Sequence, residues 1–259
     1  PLLDLPNVTV TAHLGANTKE SQKEIAIQAA NNAIESARGI AYPNALNLPI
    51  DESKIPTFVK PYIELTQKMA FLLAQISKSE IRSINVSAEG ELADYLDSLQ
   101  TFATLGILAV SCGSEVNYVN ANFIAKEKGI DLSVSALANH SGYKNKVTIK
   151  ITTVNGIKTI SGTVFADDVQ RVIELDGFAI DVDPKGKMIV MKNKDIPGVI
   201  GTVGKLLGDN KINIADFRLS RGKDGIALAI ALIDEKVTSE IIKNLDNLEA
   251  TIAVAYAEI

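Results

Sequence analysis

The sequence contains no tryptophan, one cysteine, two histidines and only 5% aromatic residues. So few rings argue against the aromatic platforms on which nucleic-acid bases stack. A single cysteine, Cys112, excludes an intrachain disulfide and suits a reducing compartment. No G-x-G-x-x-G occurs in the 259 residues, so the phosphate-binding turn of a dinucleotide fold is not written here. Neither an uninterrupted apolar stretch of about 18 residues nor a signal peptide is found, which makes the cytoplasm the default location. An excess of positive charge is missing too. Lys and Arg number 26 against 31 Asp and Glu, a net charge of −5, which gives no reason to expect nucleic acid or an anionic membrane as partner. No metal site is expected.

What remains is a chain of 46% hydrophobic and 22% charged residues with a mean hydropathy of +0.14. That composition fits well-packed globular cores, and the length allows one large domain or two to three small ones.

The stretch from Met188 to Gly222 organises the rest. Met188 and Val190 alternate with Ile189 and Met191 as the two faces of a short apolar run, so a strand is expected. Asp195, Pro197 and Gly198 break it, with Pro suited to a helix start and Gly to close backbone approach. Val199, Val203, Leu206 and Leu207 recur at helical spacing, and Gly208-Asp209-Asn210 stops the helix. A second strand begins at Ile212 and Ile214. The apolar run 225–234, a helix over 237–245 and a final strand follow, giving the order βαββαβ of a ferredoxin-like unit.

Within that unit Asn193-x-Asp195-x-Pro197-Gly198-Val199, followed by Asn213-Ile214, resembles the ACT domain, an amino-acid-sensing module. The wording DIPGVIGTVGKLL…INIADFRLSR is similar to the version that ends members of the D-3-phosphoglycerate dehydrogenase family. The resemblance implies that Asn193, Asp195, Gly198 and Val199 of one chain meet Asn213 and Ile214 of a second, with L-serine bridging them. The chemistry suits the residues. Asp195 can take the ligand ammonium, the helix opened by Pro197-Gly198-Val199 has free N–H groups for a carboxylate, and Asn213 both donates and accepts. Taken alone, Asp195 and Asn213 are equally good turn residues. The glycines 198, 201, 204 and 208 fit a close-packing helix face better than a phosphate cradle.

At the other end, residues 8–11 read as a short strand ending at Ala12-His13-Leu14-Gly15, with Asn17 as N-cap and Glu20 completing a capping box. Ile25, Ala26, Ala29, Ala33, Ile34 and Ala37 form the stripe expected to be buried on a helix that ends at Gly39. A lone strand and helix cannot bury themselves, so the chain is expected to begin inside a domain. On spacing alone His13 is a loop histidine. NVTVTAHLGANTKESQ, however, resembles the end of the nucleotide-binding domain of D-2-hydroxyacid dehydrogenases, which implies that His13 is the catalytic acid/base, a role imidazole suits near neutral pH. The same resemblance implies NAD as cofactor of the parent enzyme, with none expected bound to this chain. Residues 41–56 read as an extended connector.

The middle of the chain predicts a helix over 57–77 with Tyr62, Leu65, Met69, Leu72, Leu73 and Ile76 on its apolar face. A strand over 81–90 and a helix over 94–111 follow. A third helix within 116–130 has Val116, Val119, Phe123 and Ile124 as its stripe and Gly129 past its end. Four β runs come next, with hairpins at Asn155-Gly156 (expected type I′) and Asp176-Gly177. ALANHSGYKNKV and SGTVF…DGFAIDV are similar to the intervening domain of the same dehydrogenase family. That resemblance implies an anion site, for which Lys144, Lys146 and Arg171, near His140 and Gly142, are the candidates. Asp183 stands where some members carry a basic residue, and ordinary surface lysines are the competing reading.

The expected class is therefore α+β / α/β: residues 1–55 as the tail of a dehydrogenase Rossmann domain and connector, 56–184 as the intervening domain, 185–259 as the ACT domain. A homodimer or tetramer is expected. The alternatives are a non-catalytic amino-acid-binding regulator and a plain dimerisation module.

Overall fold

The computed structural model describes residues 5–37, 55–138, 142–222 and 224–259. The chain divides into two compact units, residues 1–48 and 49–259.

The described part of the first unit is one helix, α1 (Lys19–Ala37). Residues 8–11 do not form a strand. Among the described residues of the unit none forms a strand to pair with them, and a single strand has no hydrogen-bond partner of its own. The N-cap is Thr18 rather than Asn17, and its hydroxyl accepts the Ser21 N–H at 3.2 Å. The apolar stripe is present but uncovered: no residue of α1 is buried, and Ile25 and Ile34 are about half exposed. Gly39, most of the 41–56 connector and His140 lie outside the described residues.

In the second unit, α2 (Lys60–Ser77) and α3 (Leu96–Cys112) lie on one face of a six-stranded sheet. Its strands are β1 (Ile81–Glu89), β2 (Asp131–Leu137), β3 (Lys146–Thr153), β4 (Gly156–Val164), β5 (Gln170–Leu175) and β6 (Phe178–Val182). The order is β2-β1-β3-β4-β5-β6. Only β1 and β2 run parallel, because α3 and α4 (Ala121–Glu127) cross over between them. Leu65, Met69, Leu72 and Leu73 of α2 meet Ile84, Val86, Val147, Ile149, Ile151 and Ile160 with almost no exposure. The helices cross tightly at Gly106, where a Cβ would stand 2.4 Å from the Gln67 carbonyl oxygen. The helical stretch Gly90–Glu115 is long and apolar enough to cross a membrane by length and composition, yet 56% of that window is buried in the protein. α3 is a core helix here.

The third predicted helix is shorter than its periodicity suggests. α4 buries Ala121 and Ala125, and Phe123 is 63% exposed. Gly129 does take the left-handed position, with the Gly129 N–H reaching the Lys126 carbonyl and the Ile130 N–H the Ala125 carbonyl. The first hairpin turns one residue earlier than expected. Thr153 pairs with Gly156 and the loop is Val154-Asn155, neither at positive φ, so the turn is not type I′. At the second hairpin both Asp176 (φ 49°) and Gly177 (φ 81°) are left-handed, as a type I′ turn requires.

The C-terminal segment is the expected βαββαβ unit. It comprises β7 (Lys187–Lys194), α5 (Val199–Asp209), β8 (Ile214–Arg221), β9 (Ile226–Ile233), α6 (Ser239–Asp246) and β10 (Thr251–Glu258). Sheet order is β10-β7-β9-β8, antiparallel throughout. The alternation in β7 sorts the two faces. Ile189 and Met191 pack with Val203, Leu207, Ile241 and Leu245 of the two helices. Met188 and Val190, with Leu228, Ile230 and Ala257, join the core built on α2, α3 and the larger sheet. Gly186 and Ile259 exchange backbone hydrogen bonds of 3.2 and 2.9 Å, tying the start of this unit to its last residue.

Candidate functional site

The segment leaving β7 is held from two sides. Lys194 N–H donates to the Ala250 carbonyl and Asp195 N–H to the Gly225 carbonyl, each at 2.8 Å. Pro197 follows, outside the helix, and Gly198 sits at the N-cap with φ 92° and no side chain to cap with. Glycine is the residue that adopts this left-handed backbone without strain. Helix α5 therefore starts with N–H groups that no side chain satisfies, the positive end of its dipole facing outward.

Beside this helix start lies a cavity of about 510 Å³, lined among others by Asn193, Asp195, Gly198, Val199, Phe217 and Arg221. Asn193 is 2% exposed. Its Nδ2 donates to the Lys194 carbonyl at 2.7 Å, while its Oδ1 is buried with no hydrogen-bond partner. A buried acceptor left unmatched costs about 1–3 kcal/mol, so it marks a place where a donor is missing. Across the cavity Asp195 Oδ2 meets Arg221 Nε at 3.3 Å. The rim is apolar and open: Ile196, Ile200 and Leu219 are 49, 52 and 38% exposed.

Four of the six effector residues named from sequence, Asn193, Asp195, Gly198 and Val199, thus line one cavity. Asn213 and Ile214 of the same chain do not. Lys194 pairs with Ile226 at one end of β9, whereas Ile214 pairs with Ile233 at the other, on the order of 20 Å away at strand rise. There Asn213 Nδ2 donates to Asp234 at 2.6 Å and its N–H to Glu235 at 2.7 Å. Arg221 was missed by the sequence reading. The signal was available: Phe217, Leu219 and Arg221 share one side of β8 by strand alternation.

The three basic candidates of the middle domain are each matched by a carboxylate of their own chain. Lys144 Nζ lies 3.1 Å from Glu91, Lys146 Nζ 3.6 Å from Glu89, and Arg171 within 3.5 and 4.0 Å of Asp181 and Asp183. Lys146 and Arg171 stand on β3 and β5 with β4 between them, so the two strands are roughly 10 Å apart. His13, in the first unit, is exposed in a bend with φ 35°.

Comparison with known proteins gives two family matches. The D-3-phosphoglycerate dehydrogenase intervening domain matches residues 58–176 and the ACT domain residues 187–250. D-3-phosphoglycerate dehydrogenase of Bacillus subtilis is 35% identical over 260 residues, covering all of this chain and 50% of that protein. The enzyme of Archaeoglobus fulgidus is 32% identical over 263 residues with the same coverage, and that of Synechocystis 31% over 249 residues, 93% of this chain and 45% of its own. The chain spans about half the length of the curated relatives it matches. The match over 58–176 takes in all but the last strand of the six-stranded sheet, and the second match falls on the βαββαβ unit after it: this chain carries a D-3-phosphoglycerate dehydrogenase intervening domain followed by an ACT domain, and is homologous along its full length to D-3-phosphoglycerate dehydrogenases.

Proposed function

We propose that this chain is the regulatory part of an NAD-dependent D-3-phosphoglycerate dehydrogenase of the cytoplasm, and that it senses L-serine at a site shared by two ACT domains. The partition into residues 1–55, 56–184 and 185–259 belongs to the same proposal. The observation that carries it is the cavity lined by Asn193 and Asp195 beside an uncapped helix start, where the Oδ1 of Asn193 is buried without a hydrogen-bond partner. An ammonium supplies the missing donor, and a carboxylate suits the helix N-terminus.

A second copy completes the site. β8 is the edge of its sheet, and beside it lie the exposed Ile196, Ile200 and Leu219. Two-fold pairing of β8 with its own copy is antiparallel. If centred near Phe217 and Arg218, it brings Asn213 and Ile214 of the second chain to the Arg221 end of the first. Residues about 20 Å apart in one chain then share one pocket.

In the parent reaction 3-phosphoglycerate is oxidised to 3-phosphohydroxypyruvate, and His13 takes the hydroxyl proton as acid/base. The residues of this chain do not fit NAD itself. Its pyrophosphate needs a Gly-rich turn between strand and helix, and the described residues of the first unit offer one helix, no strand and no buried residue. This chain alone is inactive as a dehydrogenase under this reading.

Calorimetric titration of L-serine into the chain tests the proposal, with glycine and 3-phosphoglycerate for comparison. Saturable serine binding that disappears in Asp195→Ala is expected. Absence of heat at millimolar serine from a folded dimer would sink the sensing role and leave the ACT unit as a dimerisation module.

A further inference from the structure

Asp195, the acceptor proposed for the ligand ammonium, is already occupied. Arg221 Nε stands 3.3 Å from its Oδ2, across the cavity that Asn193 lines. The two partners are held very differently. Asp195 is 27% exposed and fixed through its own N–H to the Gly225 carbonyl at 2.8 Å. Arg221 is the last residue of β8, with its side chain 75% exposed. A cation that enters against Asp195 Oδ2 meets Arg221 there, and the Arg221 side chain is exposed enough to swing aside.

We infer that Arg221 is the carboxylate anchor of this site, and that an α-amino-acid zwitterion binds by inserting between Asp195 and Arg221. The inference rests on the effector reading of the cavity. The ligand ammonium takes Asp195 and the Oδ1 of Asn193. Its carboxylate takes the guanidinium that has been displaced, whose planar fork matches two carboxylate oxygens at once. One ion pair becomes two, with no charge left unmatched. A simple amine would displace Arg221 and leave it without a counter-charge, so the geometry selects zwitterions over amines. The arginine of the starting pair is mostly solvated, and ion pairs open to solvent hold weakly. Opening it is therefore no barrier to binding.

The test compares L-serine with L-serinamide, which keeps the ammonium and hydroxyl but lacks the carboxylate, by calorimetry on the wild-type chain and on Arg221→Gln and Arg221→Lys. Arg221 is exposed, so both variants should fold, and thermal melting checks that they do. The wild type is expected to prefer serine over serinamide by roughly ten- to a hundredfold, the scale of a charged hydrogen bond. Arg221→Gln should weaken serine by a similar factor and bind serinamide at least as well as the wild type, since no ion pair has to open for it, collapsing the preference, while Arg221→Lys loses part of it. Serine binding as tight in Arg221→Gln as in the wild type, or equal wild-type affinity for the two ligands, would overturn the anchor role while leaving the effector site standing. No binding of serine to the wild-type chain would remove both.

Discussion

Gln75 meets Glu258 as a neighbouring strand would. Its Nε2 donates to the Glu258 carbonyl and its Oε1 accepts the Glu258 N–H, both at 3.1 Å. β10 is an edge strand, and one side chain near the C-terminal end of α2 supplies the pairing that the sheet lacks there. Lys78 adds a weaker contact, Nζ to the Val254 carbonyl at 3.4 Å. The ACT sheet and the helical layer of the intervening domain are thus joined by main-chain-type hydrogen bonds as well as by their common core.

Replacing Gln75 with Leu leaves the two main-chain groups of Glu258 to partial solvation. A loss of about 1–2 kcal/mol in unfolding free energy is expected. Amide hydrogen exchange gives the specific readout, because the Glu258 N–H should exchange much faster in the variant. Unchanged exchange there would show that the pairing is not held in solution.

Gly106→Ala sets two effects against each other. A helix-interior Gly to Ala change ordinarily gains up to about 1 kcal/mol. Here the new Cβ would sit 2.4 Å from the Gln67 carbonyl oxygen and 2.9 Å from the Ala70 Cβ, so α2 and α3 must separate. Overpacking costs of about 1–3 kcal/mol outweigh the gain, and a lower denaturant midpoint is expected. A stabilised variant would contradict the close crossing.

Asn193→Leu should separate stability from binding. The Lys194 carbonyl keeps a donor in the Ile196 N–H at 3.0 Å, and the unmatched Oδ1 is removed. Stability is expected to stay within about 1 kcal/mol of wild type, since an apolar replacement of similar size can be nearly neutral. Serine binding should be lost. A variant that still binds serine with wild-type affinity would remove Asn193 from the site.

Glu258 gives a pH-dependent contribution of definite sign. The hydrogen bond from Lys236 Nζ, at 3.0 Å, together with its charge holds the carboxyl below the ordinary value of 4.5, and desolvation opposes it only in part. A depressed carboxyl pKa stabilises the fold above the unfolded value, so this contribution is complete above about pH 4.5 and fades as the pH falls below it. Denaturation midpoints between pH 3 and 6, on the order of the carboxyl range, should fall less steeply in Glu258→Gln than in the wild type. Parallel slopes would mean that the pair contributes nothing to acid sensitivity.

The sequence by itself determined what repeats locally. The alternation of Met188 to Met191, the helical spacing of Val199, Val203 and Leu207, and the left-handed pair at Asp176-Gly177 fix strand, helix and turn through contacts a few residues long. Patterns were misleading where a residue's partner was remote. Phe123 fits a helical stripe yet faces solvent, because Ala121 and Ala125 allow α4 to pack closely. The stripe of α1 is intact yet uncovered, because periodicity states which face could be buried and not what covers it. The site divides the same way. Asn193, Asp195, Gly198 and Val199 are near in sequence and are found together, since one strand-to-helix turn carries all four. Arg221 reaches Asp195 only because Asp195 N–H bonds to Gly225, just before β9, and β8 runs back antiparallel beside β9. The same strand order sends Asn213 to the far end. Which side chains face each other across the cavity is a property of register, and register is decided by the packing of whole sheets rather than by the residues of any one strand.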